Sequence, residues 1–145
     1  MVEKQWSWTL EEWIPNQHED VVRIQQAVIA QLESEGWENK VIFGVRLSME
    51  EAMVNAIRHG NQSHSHKRVH IVCKLNKDRI FVQITDEGEG FVPEDIPDPT
   101  LEENLDSPNG RGLMLMRNFM TRVEYNTAGN RVIMEKLRQD KPNDL

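Results

Sequence analysis

Two polar side chains one helical turn apart could hold a metal ion and accept a proton. Glu51 and Asn55 are four residues apart, so they project from one face of a predicted helix. Asparagine is unfavourable inside a helix because its amide competes for backbone hydrogen bonds, so Asn55 invites an explanation. Its amide oxygen suits Mg²⁺, and the Glu51 carboxylate could take a proton from a hydroxyl. Taken alone, the pair is more often an exposed polar face without a function.

A second group, Asp86-Glu87-Gly88-Glu89-Gly90-Phe91, follows a predicted buried strand. Asp86 ends that strand, so its carboxylate would be held where the sheet opens and could accept a hydrogen bond from the exocyclic amine of adenine. Gly88 and Gly90 can adopt positive φ, which would let a flat ring approach the backbone. The alternative is an ordinary glycine-rich turn, which these residues alone leave open.

A third group, Asn109-Gly110-Arg111-Gly112-Leu113, begins a predicted helix. Glycines at a helix start expose backbone N–H groups, and the helix dipole favours an anion there. Arg111 adds a cation that could reach a terminal phosphate. The spacing matches neither the dinucleotide-binding fingerprint nor the P-loop, so it predicts an anion site of another kind.

The elements that must position these groups form an α+β pattern. Hydrophobic periodicity predicts helices over Glu19–Glu35 and Asn39–His59, with a third beginning at Gly110. Alternation predicts strands at Trp6–Leu10, 69–75, 80–85, 122–126 and 131–137. This mixture predicts a two-layer α/β sandwich, with the three main helices on one face of a mixed β-sheet. We expect one domain over residues 1–145, with its N-terminal strand within 1–12 and a frayed tail at 138–145.

The segment 91–109 matches neither a helix nor a strand. It contains four of the six prolines and six acidic residues, and it lacks lysine and arginine. A loop of this length in a small domain is usually functional, so we expect a mobile lid.

Length, charge and cysteine content exclude several classes of protein. The chain has 145 residues, a net charge of -7 and one cysteine, so an internal disulfide is impossible. An acidic chain is a poor candidate for coating nucleic acid. An apolar run of about 18 residues and a secretory signal are both missing, so we expect a cytoplasmic protein without a membrane segment.

Taken together and in this order, the three groups resemble a known set of motifs. Glu51-x-x-x-Asn55, Asp86-x-Gly88-x-Gly90 and Gly110-x-Gly112-Leu113 resemble the N, G1 and G2 boxes of the histidine-kinase-like ATPase superfamily, which includes gyrase, heat-shock chaperone, sensor-kinase and mismatch-repair ATPases. The segments 49–60 and 114–120 are similar to those of the small bacterial anti-sigma factor serine-protein kinases. The resemblance spans roughly Trp13 to Leu137.

The resemblance implies a site for ATP and Mg²⁺. Asn55 would coordinate Mg²⁺, Glu51 would be the catalytic base toward an acceptor serine, and Asp86 would bind the adenine amine. The expected ATP-binding residues are Asn55, His59, Asp86, Gly88, Gly90, Phe91, Gly110, Arg111, Gly112 and Leu113. Arg111 is included for its charge and not through the resemblance. The segment 91–109 would be the ATP lid.

The resemblance also implies protein partners. These would be an anti-anti-sigma (STAS-type) protein, phosphorylated on serine, and a sigma factor held inactive. A homodimer is expected as well, with the aromatic strand Trp6–Leu10 as a candidate edge. Two alternatives remain open: a non-catalytic ATP-sensing module that binds proteins, and a detached sensor-kinase catalytic domain.

Overall fold

The computed structural model describes residues 5–61, 66–88 and 108–139, in two layers. In chain order the elements are β1 (Trp8–Pro15), α1 (His18–Ser34), α2 (Asn39–Asn55), a π-helical turn (Ala56–Gly60), β2 (Arg68–Leu75), β3 (Arg79–Asp86), α3 (Pro108–Phe119), β4 (Arg122–Tyr125) and β5 (Arg131–Leu137). Three helices and a five-stranded sheet confirm the predicted α+β class. Among the described helices, none is long and apolar enough to cross a bilayer.

The five strands lie in the order β1-β2-β3-β5-β4, and all four pairings are antiparallel. The expectation of a mixed sheet was therefore wrong. The strands β3 and β4 do run in the same direction, as a strand–helix–strand connection favours. However, the β4–β5 hairpin places β5 between them, so no parallel pair forms.

The helices cover one face of the sheet because most of the alternate residues that face them are apolar. Val69, Ile71, Cys73 and Leu75 of β2 are fully buried, as the alternation predicted. Burying one aliphatic side chain of this kind contributes about 1.5–3 kcal/mol, so a strand with three of them and a buried cysteine is held firmly against the helices.

The first helix ends as its sequence predicts. Gly36 has a φ of +76°, a conformation that favours glycine. The N–H of Trp37 donates to the carbonyl of Leu32 and the N–H of Gly36 to that of Glu33, both at 3.0 Å. This Schellman arrangement satisfies the last carbonyls and turns the chain toward α2.

The strand β1 differs in extent from its prediction. A strand over Trp6–Leu10 was expected, whereas β1 runs from Trp8 to Pro15 and pairs with β2 along all eight of its residues. Glu12 interrupts the apolar pattern, but its carboxylate accepts hydrogen bonds from Arg23 of α1 at 2.9 and 3.1 Å. Beyond it Ile14 is fully buried, which extends the strand.

Smaller differences occur at other boundaries. The third helix begins at Pro108, two residues before Gly110, because the fixed φ of proline suits a first helical position. The strand β4 ends at Tyr125, not at 126. Arg138, the first residue of the expected tail, donates hydrogen bonds to the carbonyls of Gly36 and Lys77 at 3.0 and 3.1 Å. Residues 91–107 of the expected lid and 140–145 of the tail lie outside the described residues.

Gly44 brings α3 close to α2. A Cβ at Gly44 would lie 2.8 Å from Cδ1 and 3.0 Å from Cβ of Phe119. We expect Gly44→Ala to lower the free energy of unfolding by about 1–3 kcal/mol, the usual cost of overpacking. Urea denaturation would measure this.

The sign of the effect decides between two contributions. Helix propensity alone would make Gly44→Ala stabilising by about 1 kcal/mol. Stabilisation would therefore contradict the close contact. The double variant Gly44→Ala/Phe119→Ala, compared with Phe119→Ala, serves as the control: the ring contact is gone and only the contact with Cβ of residue 119 remains, so the added methyl group should cost less there.

Candidate active site

A cleft opens between the end of α2 and the ends of β3 and β5. Its empty volume is about 280 Å³, including the open mouth. It is lined by Ala52, Asn55, Ala56, Gly60, Ile84, Asp86, Tyr125, Gly129, Asn130 and Val132. The predicted residues Asn55 and Asp86, 31 positions apart in the chain, thus meet in one cleft. Its walls are mostly apolar with a few convergent polar groups, which is typical of a small-molecule site.

Asp86 is the main charged group of the cleft. It is the last residue of β3 and only 8% exposed. Burial raises the pKa of its carboxyl, while the N–H of Gly88 and the charge of Lys67 act in the opposite direction. The Gly88 N–H donates to Oδ1 at 2.8 Å. A desolvated carboxylate with one such donor retains acceptor capacity for a hydrogen bond from a ligand.

Two glycines make room for this carboxylate. A Cβ at Gly60 would lie 2.1 Å from Oδ2 of Asp86, and one at Gly88 would lie 1.6 Å from the carbonyl oxygen of Gly60. A larger residue at Gly60 would have to displace the Asp86 carboxylate, and one at Gly88 would have to displace the backbone of Gly60. The expected reason for Gly88 was wrong: among the described glycines only Gly36 and Gly129 have positive φ, and Gly88 is required by close approach instead.

Glu51 and Asn55 lie on the face of α2 that contacts the start of α3. A Cβ at Gly112 would lie 2.7 Å from Oε2 of Glu51 and 3.7 Å from Nδ2 of Asn55. Glu51 is half-buried, and burial raises the pKa of its carboxyl. The neighbouring charge of Glu50 adds to this rise and Arg58 opposes it. Gly112, a member of the predicted anion-binding group at the start of α3, therefore lies next to the predicted pair Glu51 and Asn55.

The structure describes the remaining predicted residues in different detail. Gly110 and Arg111 lie in the first turn of α3, although their side chains are outside the described set. Leu113 is 6% exposed and packs in the core. His59 lies in the π-helical turn, and its side chain is not described. Gly90 and Phe91 fall outside the described residues.

The structure adds two cleft residues that sequence reasoning missed. Tyr125 lines the cleft from the end of β4, and burial raises the pKa of its hydroxyl to about 12. Asn130 ends the β4–β5 turn and lines the same cleft. The turn itself was recognisable from its residue types, but its position beside Asp86 depends on β5 lying next to β3.

Comparison with known proteins identifies the family to which the chain belongs. The sequence profile described as the histidine kinase-like ATPase domain matches residues 14–136. The chain is a member of the histidine kinase-like ATPase family. The predicted resemblance is thereby confirmed.

Three curated relatives extend the comparison. The "Serine/threonine-protein kinase BtrW" of Bordetella bronchiseptica is 29% identical over 91 residues, which cover 61% of this chain and 64% of the relative. The "Anti-sigma F factor" of Oceanobacillus iheyensis is 35% identical over 98 residues, covering 63% and 66%. That of Clostridium beijerinckii is 28% identical over 97 residues, covering 63% and 68%. This histidine kinase-like ATPase thus spans less than two thirds of the first two relatives.

The raised pKa of Asp86 predicts opposite effects on stability and binding. A carboxyl whose pKa is higher in the folded state loses stability as the pH rises from its unfolded value through the folded one. At neutral pH, Asp86→Asn should therefore raise the melting temperature. It should also weaken ATP binding by about 10- to 100-fold, since a hydrogen bond to a charged group contributes about 1.5–3 kcal/mol.

Titration calorimetry and thermal unfolding across pH measure both effects. As the pH is lowered, the affinity of the wild-type protein for ATP should begin to fall while the pH is still above about 4, the ordinary pKa of aspartate. The reason is that the raised pKa of Asp86 makes its carboxylate take up a proton at a higher pH. Asp86→Asn is the control: its affinity for ATP should not show this fall, because the amide does not titrate. A variant that melts lower than wild type at neutral pH, with unchanged ATP affinity, would contradict the assignment.

Proposed function

We propose that this chain is an ATP-dependent serine/threonine protein kinase that is also an anti-sigma factor of a partner-switching system. One observation carries the proposal: Glu51 lies one turn before Asn55, and both face Gly112 at the start of α3. A carboxylate, a side-chain amide and the first turns of a helix lie together here, and phosphoryl transfer to a hydroxyl requires a base, a metal ligand and an anion-binding group of these kinds. Family membership supports the use of ATP.

The adenine end of ATP would occupy the cleft beside Asp86. The free acceptor capacity of the carboxylate suits the exocyclic amine of adenine, and Ile84 and Val132 offer apolar contact to a flat ring. Tyr125, neutral across the physiological range, would complete the wall. Guanine presents a carbonyl oxygen where adenine has its amine, so a carboxylate at this position would disfavour it.

Asn55 is the residue in the cleft that suits Mg²⁺. The described residues contain no group of three or more His, Cys, Asp or Glu side chains that could hold a metal ion. Magnesium that arrives with ATP takes most of its ligands from phosphate oxygens and water, so one amide oxygen is a fitting protein ligand. The ion would neutralise charge on the phosphates.

The first turn of α3 would receive the phosphates. Gly110 and Arg111 lie within the first four positions of this helix, where backbone N–H groups have no partner within the helix, and Gly112 follows in the fifth position. The helix dipole adds partial positive charge at the same end. Because Gly112 lies against Glu51, phosphates held here would lie beside the proposed base.

Glu51 would act on the acceptor hydroxyl. The serine oxygen attacks the γ-phosphorus, the bond from that phosphorus to the bridging oxygen breaks, ADP leaves, and the serine proton passes to Glu51. Burial and Glu50 raise the pKa of Glu51, so its carboxylate is a stronger base than an exposed one. Most of the remaining work is positioning and charge compensation, as phosphoryl transfer requires.

The proposed partners follow from the relatives. Two are named anti-sigma F factor and one serine/threonine-protein kinase. We propose that the acceptor serine belongs to a STAS-type anti-anti-sigma protein and that the chain also holds a sigma factor inactive. This function places it in the cytoplasm.

Glu51→Gln tests the kinase function. The variant should lose phosphoserine formation on the anti-anti-sigma partner by about 100-fold or more, the usual contribution of a general base, and keep its affinity for ATP. Glu50→Gln is the matched control on the same helix. It should retain phosphorylation and shift the pH–rate profile toward lower pH, because removing the Glu50 charge lowers the pKa of Glu51.

The outcomes separate the alternatives. Unchanged phosphorylation by Glu51→Gln would contradict its role as base. If wild type binds ATP but transfers no phosphate to any partner, the chain is a non-catalytic ATP-sensing module instead.

We also propose a homodimer through β1. This strand lies at the edge of the sheet, extends over eight residues and carries Trp13 at 49% exposure. The opposite edge, β4, has only four residues. A long edge strand favours pairing with another chain. Sedimentation equilibrium should give twice the mass of the chain, and a monomer at about 100 μM, where a moderate μM-range interface would be populated, would contradict the dimer.

A further inference from the structure

The side chain of Asn61 is completely buried next to the cleft. It follows the π-helical turn that ends α2, and its exposed fraction is 0%. An amide buried to this extent requires hydrogen-bond partners, because an unpaired polar group in the interior is costly. The identity of those partners shows what the residue connects.

Three hydrogen bonds use the Asn61 side chain. Its Nδ2 donates to Oδ1 of Asn16 at 3.0 Å and to the carbonyl of Arg68 at 2.9 Å. Its Oδ1 accepts from the N–H of Glu87 at 2.7 Å. One side chain thus joins the β1–α1 connection, the start of β2 and the loop that follows Asp86.

A second asparagine holds the same loop from the other side. The N–H of Asp86 donates to the carbonyl of Asn130 at 2.9 Å, and Nδ2 of Asn130 donates to the carbonyl of Asp86 at 3.2 Å. Oδ1 of Asn130 in turn accepts from Nδ2 of Asn126 at 2.8 Å. With the Gly88 N–H on Asp86 itself, the backbone amides of 86, 87 and 88 each have a defined partner.

The π-helical turn explains how Asn61 reaches this loop. The N–H of Asn61 donates to the carbonyl of Ala56 at 2.8 Å, five residues back, which widens the last turn of the helix. Short π-helical segments occur often at functional sites. The turn brings Gly60 against the Asp86 carboxylate and Asn61 against the Glu87 amide. The helix that carries Glu51 and Asn55 is thereby joined to the loop that carries Asp86.

Only asparagine satisfies all three bonds at this position. An amide offers two N–H donors and one carbonyl acceptor on a short stem. Aspartate would lose both donors and place a second carboxylate near Asp86. An apolar residue would leave Arg68 O, Asn16 Oδ1 and Glu87 N–H without this partner.

We propose that Asn61 is a positioning residue of the ATP site, which fixes the loop 86–88 relative to α2 and thereby sets the selectivity for adenine. The inference rests on the proposed function, since it assigns Asp86 to the adenine amine. Asn61 acts through the Glu87 amide and does not itself line the cleft.

Asn61→Ala in the full chain tests this role. The dissociation constants for ATP, GTP and inorganic triphosphate, each with Mg²⁺, would be measured by calorimetry. ATP affinity should fall about 10-fold, equivalent to about 1.4 kcal/mol, and the preference for ATP over GTP should shrink by a similar factor. Affinity for inorganic triphosphate should stay unchanged, because the start of α3 is not touched.

Asn76→Ala is the matched control. Oδ1 of Asn76 accepts from the N–H groups of Asp78 and Arg79 at 2.8 and 2.9 Å, in the β2–β3 hairpin at the opposite end of these strands. This variant should lose stability without altering the ratio of ATP to GTP affinity. If Asn61→Ala keeps the wild-type ratio of ATP to GTP affinity, the inference about Asn61 is overturned but the proposed function is not. If the wild-type protein binds no ATP, both are overturned.

Amide exchange in the wild-type protein provides a second test that needs no substitution. By NMR, the Glu87 amide should exchange as slowly as the amides of β3, although it lies beyond the strand in a loop. Exchange at the rate of an exposed amide would show that Asn61 does not hold it and would overturn the inference. This measurement decides the question even if Asn61→Ala does not fold.

Discussion

The buried carboxylate of Asp86 is the constraint on which the site depends. Taking a charge out of water is costly unless nearby groups compensate, and here burial raises its pKa. Glycines at positions 60 and 88 leave room around the carboxylate, and the N–H of Gly88 donates a hydrogen bond to it. The carboxylate therefore stays close to the helix end without being saturated by protein donors. Its remaining acceptor capacity is what a ligand amine can use.

Helix α2 connects the Asp86 loop to the rest of the site. It carries Glu51 and Asn55 on one face, and its π-helical end lies directly against the Asp86 loop. Glycines also set the contact with α3, with Gly44 beneath Phe119 and Gly112 beside Glu51. The separation between Asp86 and the Glu51–Gly112 contact is thus fixed by one continuous helix with its π-helical end and by the two contacts of α2 with α3. A displacement of either contact would change the geometry at both ends.

The sequence predicted those features that depend on local pattern. Alternation gave the buried faces of β2 and β3, and four-residue spacing brought Glu51 and Asn55 to one face. Features that depend on distant partners were missed. The extension of β1 past Glu12 requires Arg23 on another element, and the antiparallel sheet requires β5 to lie between β3 and β4.

Gly88 and Asn61 show the same limit of prediction from local sequence pattern. Gly88 was recognised as special, but for its φ angle, whereas a contact with Gly60 across the fold demands it. Asn61 has no local signature because all its side-chain partners belong to other segments. The two raised pKa values in the site both come mainly from burial, yet they have opposite consequences. In the proposed function, a higher proton affinity would make Glu51 a better base, while for Asp86 it is a cost that a hydrogen bond from the ligand would offset. Ligand binding would therefore recover, at one end of α2, the stability that burial of a charge loses there.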